Sequence, residues 1–83
     1  MKSFSFLSPE VTKGTFRLTL FGREEALVEQ HRGLYSYDPR KIRVRTREGV
    51  LSVTGENMVI AHFGAQDLLI RGQITGAALE QLP

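Results

Sequence analysis

Residues Gly33–Gly55, GLYSYDPRKIRVRTREGVLSVTG, contain two turn signals among three runs of alternating apolar and polar residues. Ile42–Thr46 alternates with a period of two, which is typical of a strand with one buried face. The connection Arg47–Gly49 ends on glycine, which readily takes the positive φ of a hairpin loop. Asp38–Lys41 has Asp and Pro in the first two positions of a type I turn. This stretch therefore predicts a three-stranded meander.

The predicted hairpin sorts its side chains onto two faces. One inner face would be shared by four aliphatic residues, Ile42, Val44, Leu51 and Val53. Arg43 and Arg45, which alternate with the first two of them, would then point outward.

The rest of the sequence continues as short strands between turns. Further strands are expected at Thr15–Phe21, Ala26–His31, Met58–Phe63 and Leu68–Ile74, with turns at Gly22–Glu25, Glu56–Asn57 and Gly64–Asp67. Turn signals about every 8–12 residues predict an all-β fold, a small single-domain antiparallel meander that closes into a sandwich or barrel. The pattern L-x-V-x-G at Leu51–Gly55 recurs as L-x-I-x-G at Leu68–Gly72, which leaves a short β-roll or solenoid as the alternative.

Three regions follow from this pattern. Residues 1–14 form an N-terminal arm, in which Ser8–Glu10 could begin a helical turn. Phe4, Phe6 and Leu7 make this arm either a cover over the edge of the core or an exposed docking element. Residues 15–79 form the β domain, and residues 80–83 form a C-terminal tail.

Composition narrows the class of protein. The 83 residues carry a net charge of +2 and contain no cysteine, which excludes disulfides and thiolate metal sites. No apolar run approaches the roughly 20 residues of a membrane-spanning helix, and the first ten residues do not resemble a secretory signal. These features predict a cytoplasmic protein.

Side chains that could carry chemistry are few. His31 and His62 lack further ligands at metal-binding spacing, and the glutamates stand mostly in turns, where carboxylates are solvated. No glycine-rich phosphate-binding motif occurs. The sequence predicts no enzyme activity, no cofactor and no metal.

The arginines of the meander are its most distinctive polar feature. Arg43, Arg45 and Arg47 would form a basic stripe beside Tyr35 and Tyr37. The stripe could pair with nearby glutamates, contact an acidic protein or a membrane surface, or serve as a small nucleic-acid platform on which bases stack on the rings.

An ordered set of short motifs gives a family resemblance. These are Leu18–Arg23, then E-x-H-R-G-L at Glu29–Leu34, Ile42–Val44, G-x-L-x-V-x-G at Gly49–Gly55, and I-x-G-x-I at Ile70–Ile74. Together they resemble the YabP/YqfC family of sporulation proteins over about residues 16–79. The arm looks shorter than is usual in that family, and Ala77–Glu80 replaces an expected final strand motif.

The resemblance implies a non-enzymatic role in spore formation, in the cytoplasm of the mother cell. It implies an interaction or scaffold module whose partner is a YqfD-like polytopic membrane protein, with membrane contact only through that partner. A homo-oligomer is a further expectation. The partner-binding residues would be Glu29, His31, Arg32 and Gly33, together with Arg43, Arg45 and Arg47. A structural alternative is that Gly33 serves backbone geometry and Arg32 an ion pair.

Overall fold

The computed structural model describes residues 2–6, 10–12 and 16–81, with side chains between 16 and 80. The described residues form strands and turns but no helix, so the all-β prediction is confirmed. The strands are β1 (Lys2–Phe6), β2 (Glu10–Thr12), β3 (Arg17–Phe21), β4 (Glu25–Glu29), β5 (Leu34–Asp38), β6 (Lys41–Thr46), β7 (Gly49–Phe63) and β8 (Asp67–Gln81).

One long hairpin organises the sheet. Strands β7 and β8 have 15 residues each and pair with one another along most of their length. The sheet order is β2-β3-β4-β8-β7-β6-β5, and β1 pairs with the second half of β8. The first half of β8 pairs instead with β4. The two halves of the hairpin therefore belong to two different groups of strands.

These two groups pack as the layers of a sandwich. Buried side chains from β3 and β4 share a single cluster with buried side chains from β6, β7 and β8. The predicted inner face is confirmed, because Ile42, Val44, Leu51 and Val53 are all fully buried. No pairing joins β2 to β5 among the described strands, so the sheet folds over without closing as a barrel. All described strand pairs are antiparallel, which removes the solenoid alternative.

The hairpin bends where its two strands lose their regular register. Pairing shifts between Thr54 and Gly55 and again between Glu56 and Val59. Gly72 has φ +151°, and a Cβ there would lie 2.7 Å from the Met58 Cα. The backbones therefore approach too closely for a larger residue, which a glycine in a strand often indicates.

Both turns of the central meander are confirmed in place. The amide of Arg40 donates to the Asp38 carboxylate at 2.8 Å, as expected of an Asp that begins a turn. In the second hairpin Gly49 has φ +141° and already pairs with Thr46, so the loop is the two residues Arg47 and Glu48 rather than three.

Two expectations about the later strands are wrong. Glu56–Asn57 is not a turn, because β7 continues through it as a bulge in which Asn57 takes φ +53°. The last strand does not end at Ile74 but continues to Gln81, as β8 pairs with β7 and β1. Ser8 and Pro9 of the expected helical turn, and the side chains of Phe4, Phe6 and Leu7, lie outside the described residues.

Candidate functional site

The residues after β4 carry the chain from one layer to the other. The amides of Gln30 and His31 both donate to the Gln66 carbonyl, at 2.5 and 3.2 Å. The amide of Arg32 then donates to the Arg45 carbonyl at 2.7 Å. Residues 29–33, called the crossing segment below, are thus held between the β7–β8 turn and the end of β6. Their backbone is fixed from both sides.

His31 fastens the crossing segment from within. Its side chain is buried, its Nδ1 accepts the Gly33 amide at 2.9 Å, and its Nε2 lies 3.0 Å from the Gly64 carbonyl. A neutral ring with the proton on Nε2 satisfies both bonds, an assignment made from the hydrogen-bond network. The ring also meets Phe63 edge-on, with centroids 5.2 Å apart. His31 is therefore an internal support of the segment.

A polar hollow lies beside the crossing segment. It has a volume of about 410 Å³ and is lined by Gln30, His31, Arg32, Arg47, Ala65 and Gln66. Arg32 and Arg47 are both exposed, and neither has a carboxylate partner among the described side chains. The hollow is therefore lined by two arginines that make no ion pair with a described carboxylate.

The other arginines of the expected stripe are engaged within the sheet. Arg43 donates to the Glu80 carboxylate at 2.6 Å, and Ser52 donates to the same carboxylate at 2.8 Å. The guanidinium carbons of Arg43 and Arg45 lie 5.1 and 4.7 Å from the centre of the Tyr35 ring. Arg47, in the turn, faces the hollow instead.

Glu80 is the central acceptor of this network. The hydrogen bond from the Ser52 hydroxyl lowers the pKa of the Glu80 carboxyl most, and the hydrogen bond from Arg43 comes next. Together with the charges of Arg43 and Lys41, these bonds outweigh burial, which raises the pKa. They hold the pKa of the Glu80 carboxyl below its ordinary value of 4.5. The network joins β6, β7 and β8 across the outer face of the sheet.

The structure gathers some of the expected contact residues and separates others. Arg32 and Arg47 come together at the hollow, Arg43 and Arg45 lie along the sheet, and Glu29 is half-buried opposite Asp67. Gly33 takes φ +118°, which favours glycine and fits its expected backbone role. Gln30, Ala65 and Gln66 are lining residues that sequence reasoning missed, because no local pattern reports that the β7–β8 turn meets the crossing segment.

Between residues 16 and 80 no three His, Asp or Glu side chains lie close enough to share a metal ion. The described residues include no helix long and apolar enough to cross a membrane.

Comparison with known proteins supplies a family. The model of the YabP family matches residues 12–81. The chain is also similar to the uncharacterized protein YqfC of Bacillus subtilis (strain 168), with 29% identity over 68 residues, which cover 82% of this chain and 73% of that protein. No solved structure matches it.

Proposed function

The chain belongs to the YabP family, and on that premise we propose that it is a non-enzymatic interaction module of bacterial spore formation. Its partner is a polytopic, YqfD-like integral-membrane protein, which it binds from the cytoplasm of the mother cell. The module reaches the membrane only through this partner.

One observation carries the proposal. The crossing segment is fixed by backbone hydrogen bonds on both sides, while the outward side chain of Arg32 is exposed and without a carboxylate partner among the described residues. A rigid backbone that presents unengaged polar groups suits binding, because little conformational freedom is lost on association. The ion-pair alternative for Arg32 finds no support in residues 16–80.

The test is a charge reversal at the segment. Arg32→Glu should reduce co-purification of the polytopic membrane protein from detergent-solubilised membranes of sporulating cells at least about tenfold. The melting temperature of the Arg32→Glu variant should stay within about 2 °C of the parent's. The reason is that an exposed side chain without an ion-pair partner among the described residues contributes little to stability.

Arg23→Glu is the matched control, because Arg23 is exposed in the distant β3–β4 turn. It should leave co-purification unchanged. If Arg32→Glu lowers the melting temperature as much as it lowers partner recovery, the residue has a folding role. If the unaltered protein recovers no polytopic membrane protein, the proposed function is wrong.

A nucleic-acid-binding β-barrel is the alternative function, and the arrangement of Tyr35 weakens it. Arg43 and Arg45 already lie against this ring, and the Arg43 charge is balanced by Glu80. A base would have to displace these contacts in order to stack. A gel shift with single-stranded DNA at low salt that is lost in the double variant Arg43→Ala, Arg45→Ala would revive this alternative.

A further inference from the structure

We infer that the polar hollow beside the crossing segment binds a carboxylate of an acidic segment in a protein partner. The inference rests on the proposed function and names the chemistry of the partner at that surface. It depends on the two arginines of the hollow, on what surrounds them, and on how the other arginines of the fold are used.

Two arginines from different elements line one hollow. Arg32 comes from the crossing segment and Arg47 from the β6–β7 turn. Each guanidinium carries a planar fork of N–H donors that matches the two oxygens of a carboxylate. A carboxylate between them could receive charge-assisted hydrogen bonds from both sides.

Both arginines stand on backbone that is fixed before any ligand arrives. The Arg32 amide is bonded to Arg45, and the β6–β7 turn is closed by the Thr46 hydroxyl, which donates to the Gly49 carbonyl and accepts the Glu48 amide. The Arg47 side chain takes no part in closing that turn. Its position next to Arg32 is therefore available for binding without cost to the hairpin.

The fold satisfies other arginines with its own carboxylates. Arg40 pairs with Glu56, Arg43 with Glu80, and Arg71 with Glu25. At the hollow no described side chain plays that part. The missing carboxylate is what an acidic partner would supply.

The surroundings favour a peptide over a membrane surface. Glu29 and Asp67 face each other on neighbouring strands next to the hollow, and Glu48 is in the same turn as Arg47. These carboxylates would repel the closely spaced charges of an extended anionic bilayer more strongly than a flexible acidic peptide, which can place one carboxylate between the arginines and turn its other charges away. The side-chain amides of Gln30 and Gln66, both exposed residues, add hydrogen-bond donors and acceptors suited to a peptide backbone.

The inference is tested by nuclear magnetic resonance titration of the full-length protein with an oligoglutamate peptide, and with oligoglutamine of equal length. Oligoglutamate should shift the signals of Arg32, Arg47 and Gln66, and oligoglutamine should not. Arg47→Gln should weaken oligoglutamate binding about tenfold, as expected for loss of a charge-assisted hydrogen bond. Arg23→Gln removes the same charge elsewhere on the surface and should leave the affinity unchanged.

Three results would overturn the inference. The first is the absence of oligoglutamate-induced shifts at the hollow. The second is equal weakening by Arg47→Gln and Arg23→Gln, which would indicate non-specific attraction. The third is Arg47-dependent binding to vesicles containing phosphatidylglycerol without binding to oligoglutamate, which would assign the hollow to lipid.

The same experiments separate this inference from the proposed function. If the membrane partner co-purifies but oligoglutamate does not bind the hollow, the carboxylate inference fails and the proposed function stands. If oligoglutamate binds the hollow in an Arg47-dependent way but no membrane partner is recovered, the inference holds and the proposed partner is wrong.

Discussion

At the scale of single residues, two buried or half-buried polar side chains hold distant parts of the chain together. His31 bonds to Gly33 and Gly64, and Glu80 bonds to Arg43 and Ser52. Both have their hydrogen-bonding capacity used within the protein, so removing either leaves a partner unsatisfied. Substituting either residue should therefore lower the free energy of unfolding more than substituting a matched residue at the surface.

His31→Phe tests the internal support of the crossing segment. The substitution keeps an aromatic ring but leaves the Gly33 amide and the Gly64 carbonyl without their hydrogen bonds to His31. The free energy of unfolding should therefore be about 1–3 kcal/mol lower than in the parent. Urea denaturation measures this difference. His62→Phe is the control, because His62 is exposed and only 3.5 Å from an exposed Asp67 carboxylate; it should change stability by less than about 1 kcal/mol. Equal effects of the two substitutions would contradict the supporting role.

Glu80→Gln tests the network on the outer face. The pKa of Glu80 is lowered in the folded state, so the ionised carboxylate stabilises the fold above pH 4.5, and this stability is lost as the pH falls through the lowered value. At neutral pH the substitution should cost about 2 kcal/mol. The difference between parent and variant should shrink as the pH is lowered below 4.5.

The measurement is urea unfolding of both proteins over a series of pH values. Glu25→Gln serves as the comparison, since Glu25 pairs with Arg71 in a more exposed position and should cost less than about 1 kcal/mol. A difference between the parent and Glu80→Gln that stays constant down to low pH would contradict the assigned cause.

At the scale of elements, the bend of the β7–β8 hairpin depends on a close approach at Gly72. Gly72→Ala should destabilise the protein by about 2 kcal/mol or more, because its Cβ would press on the Met58 backbone and its φ is positive. Gly76→Ala is the control in the same strand, since its Cβ would meet only the Thr54 hydroxyl at 3.3 Å. Thermal unfolding of the two variants compares them. A Gly72→Ala protein as stable as Gly76→Ala would show that the bend tolerates a side chain.

The same hairpin shows which elements the sequence could predict. The turns at Asp38–Lys41 and Arg47–Gly49 were predictable because turn chemistry is local and the strands between them alternate strictly. The turn predicted at Glu56–Asn57 is wrong because a bulge with a positive φ uses the same residue types as a turn. The continuation of β8 past Gly76 depends on pairing with β1 and β7, which no local pattern records.

The candidate site was predictable only in part for a similar reason. The crossing segment stood out as a motif, and Arg32 was already among the expected contacts. Arg32 and Arg47 lie together because two later parts of the chain fold back onto the crossing segment. These parts are the end of β6 and the β7–β8 turn. Alternation predicts Arg43 and Arg45 on one face beside Tyr35, but the pairing of Arg43 with Glu80 follows from the register of β6, β7 and β8. Such tertiary contacts are set by the whole fold.

At the scale of the whole molecule, the long hairpin forms a frame for the two layers, and the hollow proposed for binding lies at the edge of that frame. The β7–β8 hairpin spans both layers and carries much of the buried cluster. The crossing segment and the β6–β7 turn lie at an edge of this frame and are held by it, and Arg32 and Arg47 are exposed there. The proposed binding at the hollow would therefore require no rearrangement of the core.

This division predicts uneven protection of backbone amides from hydrogen exchange. Hydrogen-bonded amides in residues 77–80 of β8 lie between β7 and β1, so they should exchange only through global unfolding. Among the described strands β5 pairs only with β6, and most of its residues are exposed, so its amides should exchange at least about 100-fold faster through local opening. Hydrogen–deuterium exchange followed by nuclear magnetic resonance resolves the two strands. Equal protection of β5 and β8 would mean that something in solution covers the β5 edge, and the free protein would then be an assembly through that strand.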